Sequence, residues 1–575
     1  MKSGFPFRRK KAAQLPLLRR GRKKQEATAR RTRRRLILIS LCFCSLYAVI
    51  VSRLVHYGQE GGDIAQNSGP ELVNMAARPD IIDRNGLLLA TDIKTDSLYA
   101  EPRRIFDVDE TIERLSLVLP DLDWDTTYRR LKTDKGFVWI ERGLTPQQRI
   151  KIEALGLPGI GFRKETRRFY PGGETASHIL GLVNIDNTGI AGMEKYIDNA
   201  GLIDLREAGL ADPAALEPVQ LSVDIRVQAM VRDELQQAIA RYSAIAAGAV
   251  VLNAKTGEVI AMASVPDFDP GNPVHALEKD RLNRMSAGTY EMGSTIKSFT
   301  TAMALDSGLF RLNTLVDASK PLKFGSRTIR DFHGKYRPLT VTEIFRFSSN
   351  IGSVKEAEAV GIPGHRAFLK RLGLLDRMKT ELPEVARPLE PKRWRKVHSA
   401  TISYGHGMTT TPLQTAAGAA ALVNGGKLIA PTFLKRDAMA AQNVARQVIK
   451  PQTSRDMRYL YKLNAEIGSG RRAAIGGYRI GGKTGTAEKV INGRYADDVR
   501  FNAFVAAFPM DDPAYIVLTI IDEPKPEEGQ FSATAGLNAA PMTANIIRRA
   551  ATFLGIAPDF DKEAASVLAA TSDAH

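Results

Sequence analysis

Three short motifs carry the residue types that acyl transfer through a serine needs. Ser294-Thr295-Ile296-Lys297 is the only S-x-x-K in the chain. A serine hydroxyl is a poor nucleophile until a base removes its proton. Residues three apart on a helix share a face, so this spacing lets Lys297 reach the Ser294 hydroxyl. A free lysine, with a pKa of about 10.4, is a poor base at neutral pH. Burial and a second cation nearby would push it toward the neutral amine. The expected second cation is Lys483, in Lys483-Thr484-Gly485-Thr486. Between the two stands Ser348-Ser349-Asn350, within FRFSSNIGSVKEA. A carbonyl under attack becomes an oxyanion and needs fixed donors.

Each motif has a plainer reading. S-x-x-K can be a chance pair on a helix surface, but the apolar run after it points to a buried helix, where a lysine needs a reason. S-S-N read alone is a helix start, because both residue types cap helices. K-T-G read alone is a hairpin turn. The chain carries a second copy, Lys255-Thr256-Gly257, between AVVLNA and EVIAMAS, and that copy is assigned to a structural turn. The copy at Lys483 follows Gly481 and Gly482, which let a ligand lie against a strand backbone. Gly293, just before the serine, suits a tight entry into the helix and close approach by a substrate.

The elements that must hold these motifs can be read from periodicity. VDIRVQAMVRDELQQAIARY places Val227, Met230, Val231, Leu235 and Ile239 at helical spacing. GAVVLNAKTGEVIAMAS reads as two strands joined by a turn at residues 254–257. Helical stretches occupy much of 296–425, FNAFVAAF and AYIVLTIID read as paired strands, and MTANIIRRAATFLG reads as a closing helix. Strands before and after a helical middle predict one sheet built from distant segments. Before residue 220, FVWIERGL and RRFYPGG look like strands entering turns.

At 575 residues the chain is too long for one ordinary core. Its net charge of +18 is concentrated in a tail: residues 1–35 hold fifteen Lys or Arg and one acid, Glu26. The charge is therefore not a domain face for nucleic acid. LILISLCFCSLYAVIVS follows, seventeen residues without a charge. A spanning helix needs about 17 to 25 such residues. A basic flank before such a run predicts a single uncleaved anchor over 36–57, with the tail in the cytoplasm. Small and polar positions on it, Ser40, Ser45 and Ala48, would permit close helix approach. Both cysteines, Cys42 and Cys44, lie in the run, so the exported part has no disulfide of its own. The expected divisions are a basic tail (1–35), anchor (36–57), polar linker (58–72), non-catalytic domain (73–220), catalytic domain (221–557) and a disordered tail (558–575).

In this order, the three motifs match the S-x-x-K, S-x-N and K-T-G set of penicillin-binding proteins and serine β-lactamases. The resemblance extends over roughly residues 73 to 550. RPDIIDRNGLLLA resembles a segment near the start of class B penicillin-binding proteins, with Pro79 where the family usually has glycine. RRFYPGGETASHILGLVN, VPDFDPGNP and SYGHGMTTTPLQTA extend it. Within class B, the S-S-N form and the flanking YEMGST and YGHGMTTTPLQ segments resemble the division-specific (FtsI) type.

That resemblance implies a multidomain α+β and α/β architecture. It comprises one N-terminal transmembrane helix, an elongated non-catalytic domain, and a β-lactamase-like transpeptidase domain with a mainly antiparallel sheet flanked by helices. It also implies a peptidoglycan D,D-transpeptidase inhibited by β-lactams, in the bacterial inner membrane with its catalytic part in the periplasm. By position, Ser294 forms the acyl-enzyme, Lys297 is the base, and Ser348 relays a proton toward the leaving amine. Asn350 holds the substrate amide, and Lys483, Thr484, Gly485 and Thr486 form the carboxylate-binding strand. The backbone N–H groups of Ser294 and Thr486 form the oxyanion hole. No cofactor and no metal are implied. The partners implied are stem peptides, the membrane, a multispanning septal glycan polymerase and other division proteins, with no nucleic acid. An elongation-specific transpeptidase, a serine β-lactamase and a non-enzymatic division scaffold are the competing readings.

Overall fold

Two kinds of strand are present, distinguished by how much of each is covered. In residues 78–201 the strands β1 (Ile81–Ile82), β2 (Leu88–Ala100), β3 (Val138–Leu144) and β4 (Ile160–Phe169) mix buried and exposed positions. β2 is the long central ribbon, paired antiparallel with β1, β3 and β4. Helices at Val108–Ser116 and Trp124–Leu131 pack on it around Leu98, Ile112, Leu115 and Ile140. Asp107 and Asp123 cap them by accepting from the N–H groups of Glu110 and Thr126. A buried ion network ties the base of this region together. Arg78 Nε lies 2.8 Å from Glu194, Arg168 Nε 2.7 Å from Glu194, and Arg168 Nη1 3.1 Å from Asp92. Removing one partner from such a network costs about 3–5 kcal/mol, because it strands a buried charge.

The computed structural model describes residues 78–201, 217–325, 327–491 and 493–560, with positions 41, 44, 45, 47–49, 51 and 52 of the apolar run. The basic tail, most of the expected anchor, the linker and residues 561–575 lie outside the described residues. Among the described residues no helix is long and apolar enough to cross a membrane. Residues 558–560, expected to belong to a disordered tail, are described: Asp559 N–H donates to Gly477 O at 2.8 Å.

After a short strand β5 (Val219–Gln220), parallel to β1, three of the strands that follow are buried and apolar on both faces. β6 (Ala246–Asn253), β7 (Val259–Val265), β8 (Gly481–Ile491), β9 (Arg494–Phe508) and β10 (Tyr515–Asp522) form one sheet in the order β8-β9-β10-β6-β7. All four pairings are antiparallel. Sheets with both faces covered need such near-continuous apolar runs. Ala247, Ala249 and Val251 of β6 meet the helices at Ile225–Tyr242 and Ala539–Ala550. Val250 and Leu252, pointing the other way, meet α1 (Lys297–Ser307), α2 (Pro412–Val423) and α3 (Pro451–Ile467). The β6–β10 pairing joins segments far apart in the chain into the single sheet that the sequence predicts. The larger core is continuous across residue 220: Ile81, Leu89, Ile179 and Met193 belong to the same cluster as Phe299 and Leu518.

Candidate active site

Ser294 sits in a short 3-10 turn, Gly293–Ile296, that feeds directly into α1 at Lys297. The turn needs glycine at its first position. Gly293 has φ of +53°, and a Cβ there would stand 2.8 Å from Thr486 O. Glycines bring two more backbones against the turn. A Cβ on Gly405 would meet Gly293 O at 1.9 Å, and one on Gly485 would meet Met292 O at 2.4 Å. The serine turn is thus clasped between the K-T-G strand and the SYGHG loop. Ser294 itself is half-buried, whereas Lys297 is 1% exposed, enclosed by a helix buried through Leu305.

The S-S-N segment is a hinge between two helices, Val341–Phe347 and Asn350–Arg371. Ser348 ends the first in a left-handed conformation, with φ 54° and ψ 45°. Ser349 caps the second: its Oγ accepts from Gly352 N–H at 2.9 Å and donates to Asp331 at 2.8 Å. The capping role that S-S-N suggests on its own therefore falls to Ser349. Ser348 and Asn350, on either side, turn toward the lysine. Lys297 Nζ lies 2.5 Å from Ser348 O, 3.1 Å from Ser348 Oγ and 2.7 Å from Asn350 Oδ1. Asn350 Nδ2 is held in turn by Arg330 O at 2.8 Å. Among the described residues Lys297 makes no hydrogen bond to Ser294, although the spacing suggests one. Catalytic hydrogen bonds are often loose before substrate arrives.

Lys483 enters from β8, the edge strand of the sheet, and is fully buried. Its Nζ donates to Ser348 Oγ at 3.0 Å and to Thr484 O at 3.2 Å. Thr484 Oγ1 pairs with Ser469 Oγ at 2.7 Å, and Thr486 Oγ1 accepts from Ala535 N–H at 3.1 Å. All the expected site residues converge on this one place. The second K-T-G copy does not: Lys255 is an exposed turn residue paired with Asp512, and Asn253 Oδ1 accepts from Lys255 N–H at 2.9 Å.

Burial shapes the electrostatics. It pulls the Lys297 ammonium down to about 7, against the opposing pull of Asp331 and Glu356. Burial also pushes Lys483 well below the usual lysine range, with repulsion from Lys297 adding to it. Of the two causes the sequence suggests, burial leads in each lysine, and the second cation bears on Lys483 alone.

Several supporting residues went unread in the sequence. Asp331 braces the S-S-N hinge, taking Ser349 Oγ on one oxygen and Ile351 N–H on the other at 2.9 Å. Glu291, three residues before the serine, accepts from Gly407 N–H at 2.7 Å, His406 Nδ1 at 3.0 Å and Tyr495 Oη at 3.2 Å. It fastens the serine turn to the SYGHG loop and to β9. The YEMGST and SYGHG segments were the available signal for this clasp, but nothing in either pairs it with the other.

A buried serine–lysine site of this form, on an antiparallel sheet between helical layers, defines a penicillin-recognising acyltransferase. The Penicillin binding protein transpeptidase domain matches residues 247–548, and the Penicillin-binding Protein dimerisation domain matches residues 73–200. The chain belongs to the class B, FtsI-type penicillin-binding protein transpeptidases. It is 39% identical to a probable peptidoglycan D,D-transpeptidase FtsI of Caulobacter vibrioides, over 88% of this chain and 85% of that one. It is 30% identical to the peptidoglycan D,D-transpeptidase FtsI of Escherichia coli K12, over 84% of each chain. The fold is similar to that of penicillin binding protein 3 from Mycobacterium tuberculosis, solved with aztreonam. That likeness has a TM-score of 0.64 at 23% identity and covers 84% of this chain and 97% of the other.

Proposed function

We propose that this protein cross-links peptidoglycan stem peptides at the division septum through an acyl-enzyme on Ser294. The observation that carries the reading is the meeting of Lys297, three residues after Ser294, with Lys483 at Ser348 Oγ. A neutral amine has two N–H donors and one lone pair. In Lys297 the donors match Ser348 O and Asn350 Oδ1, and the lone pair that takes a proton falls on the side of the third neighbour, Ser348 Oγ. Ser294 Oγ attacks the carbonyl of the penultimate D-alanine, and its proton passes to Lys297. The N–H groups of Ser294 and Thr486 receive the oxyanion. Collapse breaks the C–N bond, and Ser348 relays the proton held by Lys297 to the leaving D-alanine amine, which frees the Lys297 amine again. An acceptor amine then attacks the ester, cross-links the strands and returns the proton to Ser294. Lys483, Thr484 and Thr486 bind the terminal carboxylate as a charge-assisted contact, and Gly485 lets the strand pass close to the serine turn.

The same reading assigns the apolar run from Leu36 to Ser52 to a single inner-membrane anchor, with the basic tail on the cytoplasmic side. The catalytic part is then periplasmic, after the linker and a pedestal over 73–220. The anchor is free to pack against a multispanning septal glycan polymerase and other division proteins. Depletion of the protein tests the septal assignment: cells should lengthen without dividing. Rounded, widening cells would place it in elongation, and normal division would refute both.

A further inference from the structure

The Thr484 hydroxyl, which the reading above gives to the substrate carboxylate, touches a serine outside the three motifs. α3 ends at Ile467, and the chain turns back over its last residues. Asn464, fully buried, builds that turn. Its backbone carbonyl accepts from Gly468 N–H at 3.0 Å and from Gly470 N–H at 3.2 Å. Its Oδ1 accepts from Ser469 N–H at 3.2 Å. Its Nδ2 donates to Gly482 O at 2.8 Å, which fastens the turn to β8 just before Lys483. The turn is tight: a Cβ on Gly468 would lie 2.3 Å from Asn464 Oδ1. Ser469, itself exposed, is thereby set with its Oγ 2.7 Å from Thr484 Oγ1 and 3.3 Å from Asn464 Oδ1.

Among the described residues, Ser469 is the only hydrogen-bond partner of the Thr484 hydroxyl. Each of the two hydroxyls carries one proton, and either can give it to the other. A carboxylate only accepts. Once an anion sits against Thr484, the Thr484 proton must point at it. The contact between the hydroxyls then runs one way, from Ser469 to Thr484. A hydroxyl that accepts one hydrogen bond while donating another is the stronger donor. If Thr484 donated to Ser469 instead, its lone pairs would face the anion and repel it. We propose that Ser469 is a positioning residue for the carboxylate site. By donating to Thr484 Oγ1, it turns the Thr484 O–H toward the terminal carboxylate of the stem peptide. The carboxylate of a β-lactam meets the same hydroxyl. Asn464, at the end of α3, sets the reach of the serine.

This inference rests on the carboxylate assignment of the K-T-G strand. The test compares acylation of the full-length protein in detergent by benzylpenicillin and by its methyl ester, which lacks the anion. In wild type the acid should react faster. Ser469→Ala keeps the Cβ of an exposed residue, so the fold should hold. It should slow the acid about three- to tenfold and leave the ester rate in place. Ser469→Thr keeps a hydroxyl and should restore the acid rate. Thr484→Ala should also slow the acid selectively, and Ser469→Ala added to it should cause no further loss. A structural Ser469 would slow acid and ester alike. That result overturns the inference. So does an acid rate unmoved by Ser469→Ala, or the same loss repeated in the double variant. Equal acid and ester rates in the wild type would remove the carboxylate assignment itself, and this inference with it.

Discussion

Lys297 and Lys483 end on the same hydroxyl oxygen, Ser348 Oγ, at 3.1 and 3.0 Å. They come from the first turn of a buried helix and from the edge strand of the sheet, and neither has solvent to dissipate its charge. Desolvation lowers both amines, which keeps Lys297 a base near neutral pH, and repulsion from Lys297 lowers Lys483 further.

The acid limb of acylation should therefore follow Lys297. Below about 7 its amine is protonated and has no lone pair to offer; above about 7 it is free. The second-order rate of β-lactam acylation should rise with pH through this range, falling about tenfold per unit on the acid side. A stopped-flow pH series measures it. A rate that is flat from pH 5 to about 9 would exclude a lysine base with a lowered pKa.

Ser348 supplies a contrast between chemistry and strain. A non-glycine residue at φ 54° stores about 1–2 kcal/mol. Ser348→Gly should relieve that strain, and Ser348→Ala should not. Both lose the hydroxyl, so both should lose about 10²–10⁴ in acylation or deacylation rate. Thermal melts with acylation kinetics distinguish the two effects. Near wild-type turnover in a folded Ser348→Gly protein would rule out the proton relay.

Gly405→Ala should damage the serine turn from the far side. Its φ is +100°, and the new methyl carbon would lie 1.9 Å from Gly293 O. The strained conformation alone costs on the order of 1–3 kcal/mol, and the clash adds to it. The expected outcome is a melting temperature lowered by several degrees with acylation slowed. An unchanged protein would show that the loop moves freely away from the serine.

The two K-T-G copies should respond oppositely. Lys255 is exposed and paired with Asp512, an arrangement worth little, so Lys255→Ala should leave acylation near wild type. Lys483→Ala should weaken binding of the substrate carboxylate and unsettle Ser348. Equal effects in acylation kinetics would mean that the strand copy is not the functional one.

Legibility in the sequence followed the range of the interaction. Ser294 and Lys297 are three residues apart, so their relation follows from helix geometry. The continuous apolar runs of β6, β7 and β10 declare a sheet covered on both faces. Asp331, Glu291 and Gly405 act on residues that only the tertiary fold brings near. The 3-10 turn at Ser294 arises from Gly293 meeting the Thr486 backbone, a contact no local pattern encodes. Glu356 went unread for the same reason: in GSVKEAEAV it looks like one of several charges on a helix surface. Only packing against Thr301 shows that it is buried. The continuity of the core past residue 220 was hidden because each side of it has a full set of apolar residues of its own.

The most direct test of the account is mass spectrometry of the intact and digested protein after reaction with a penicillin. The predicted result is one added β-lactam per chain, carried by the peptide containing Ser294 and absent from a folded Ser294→Ala protein. An adduct on any other residue, or continued labelling of Ser294→Ala, would contradict it.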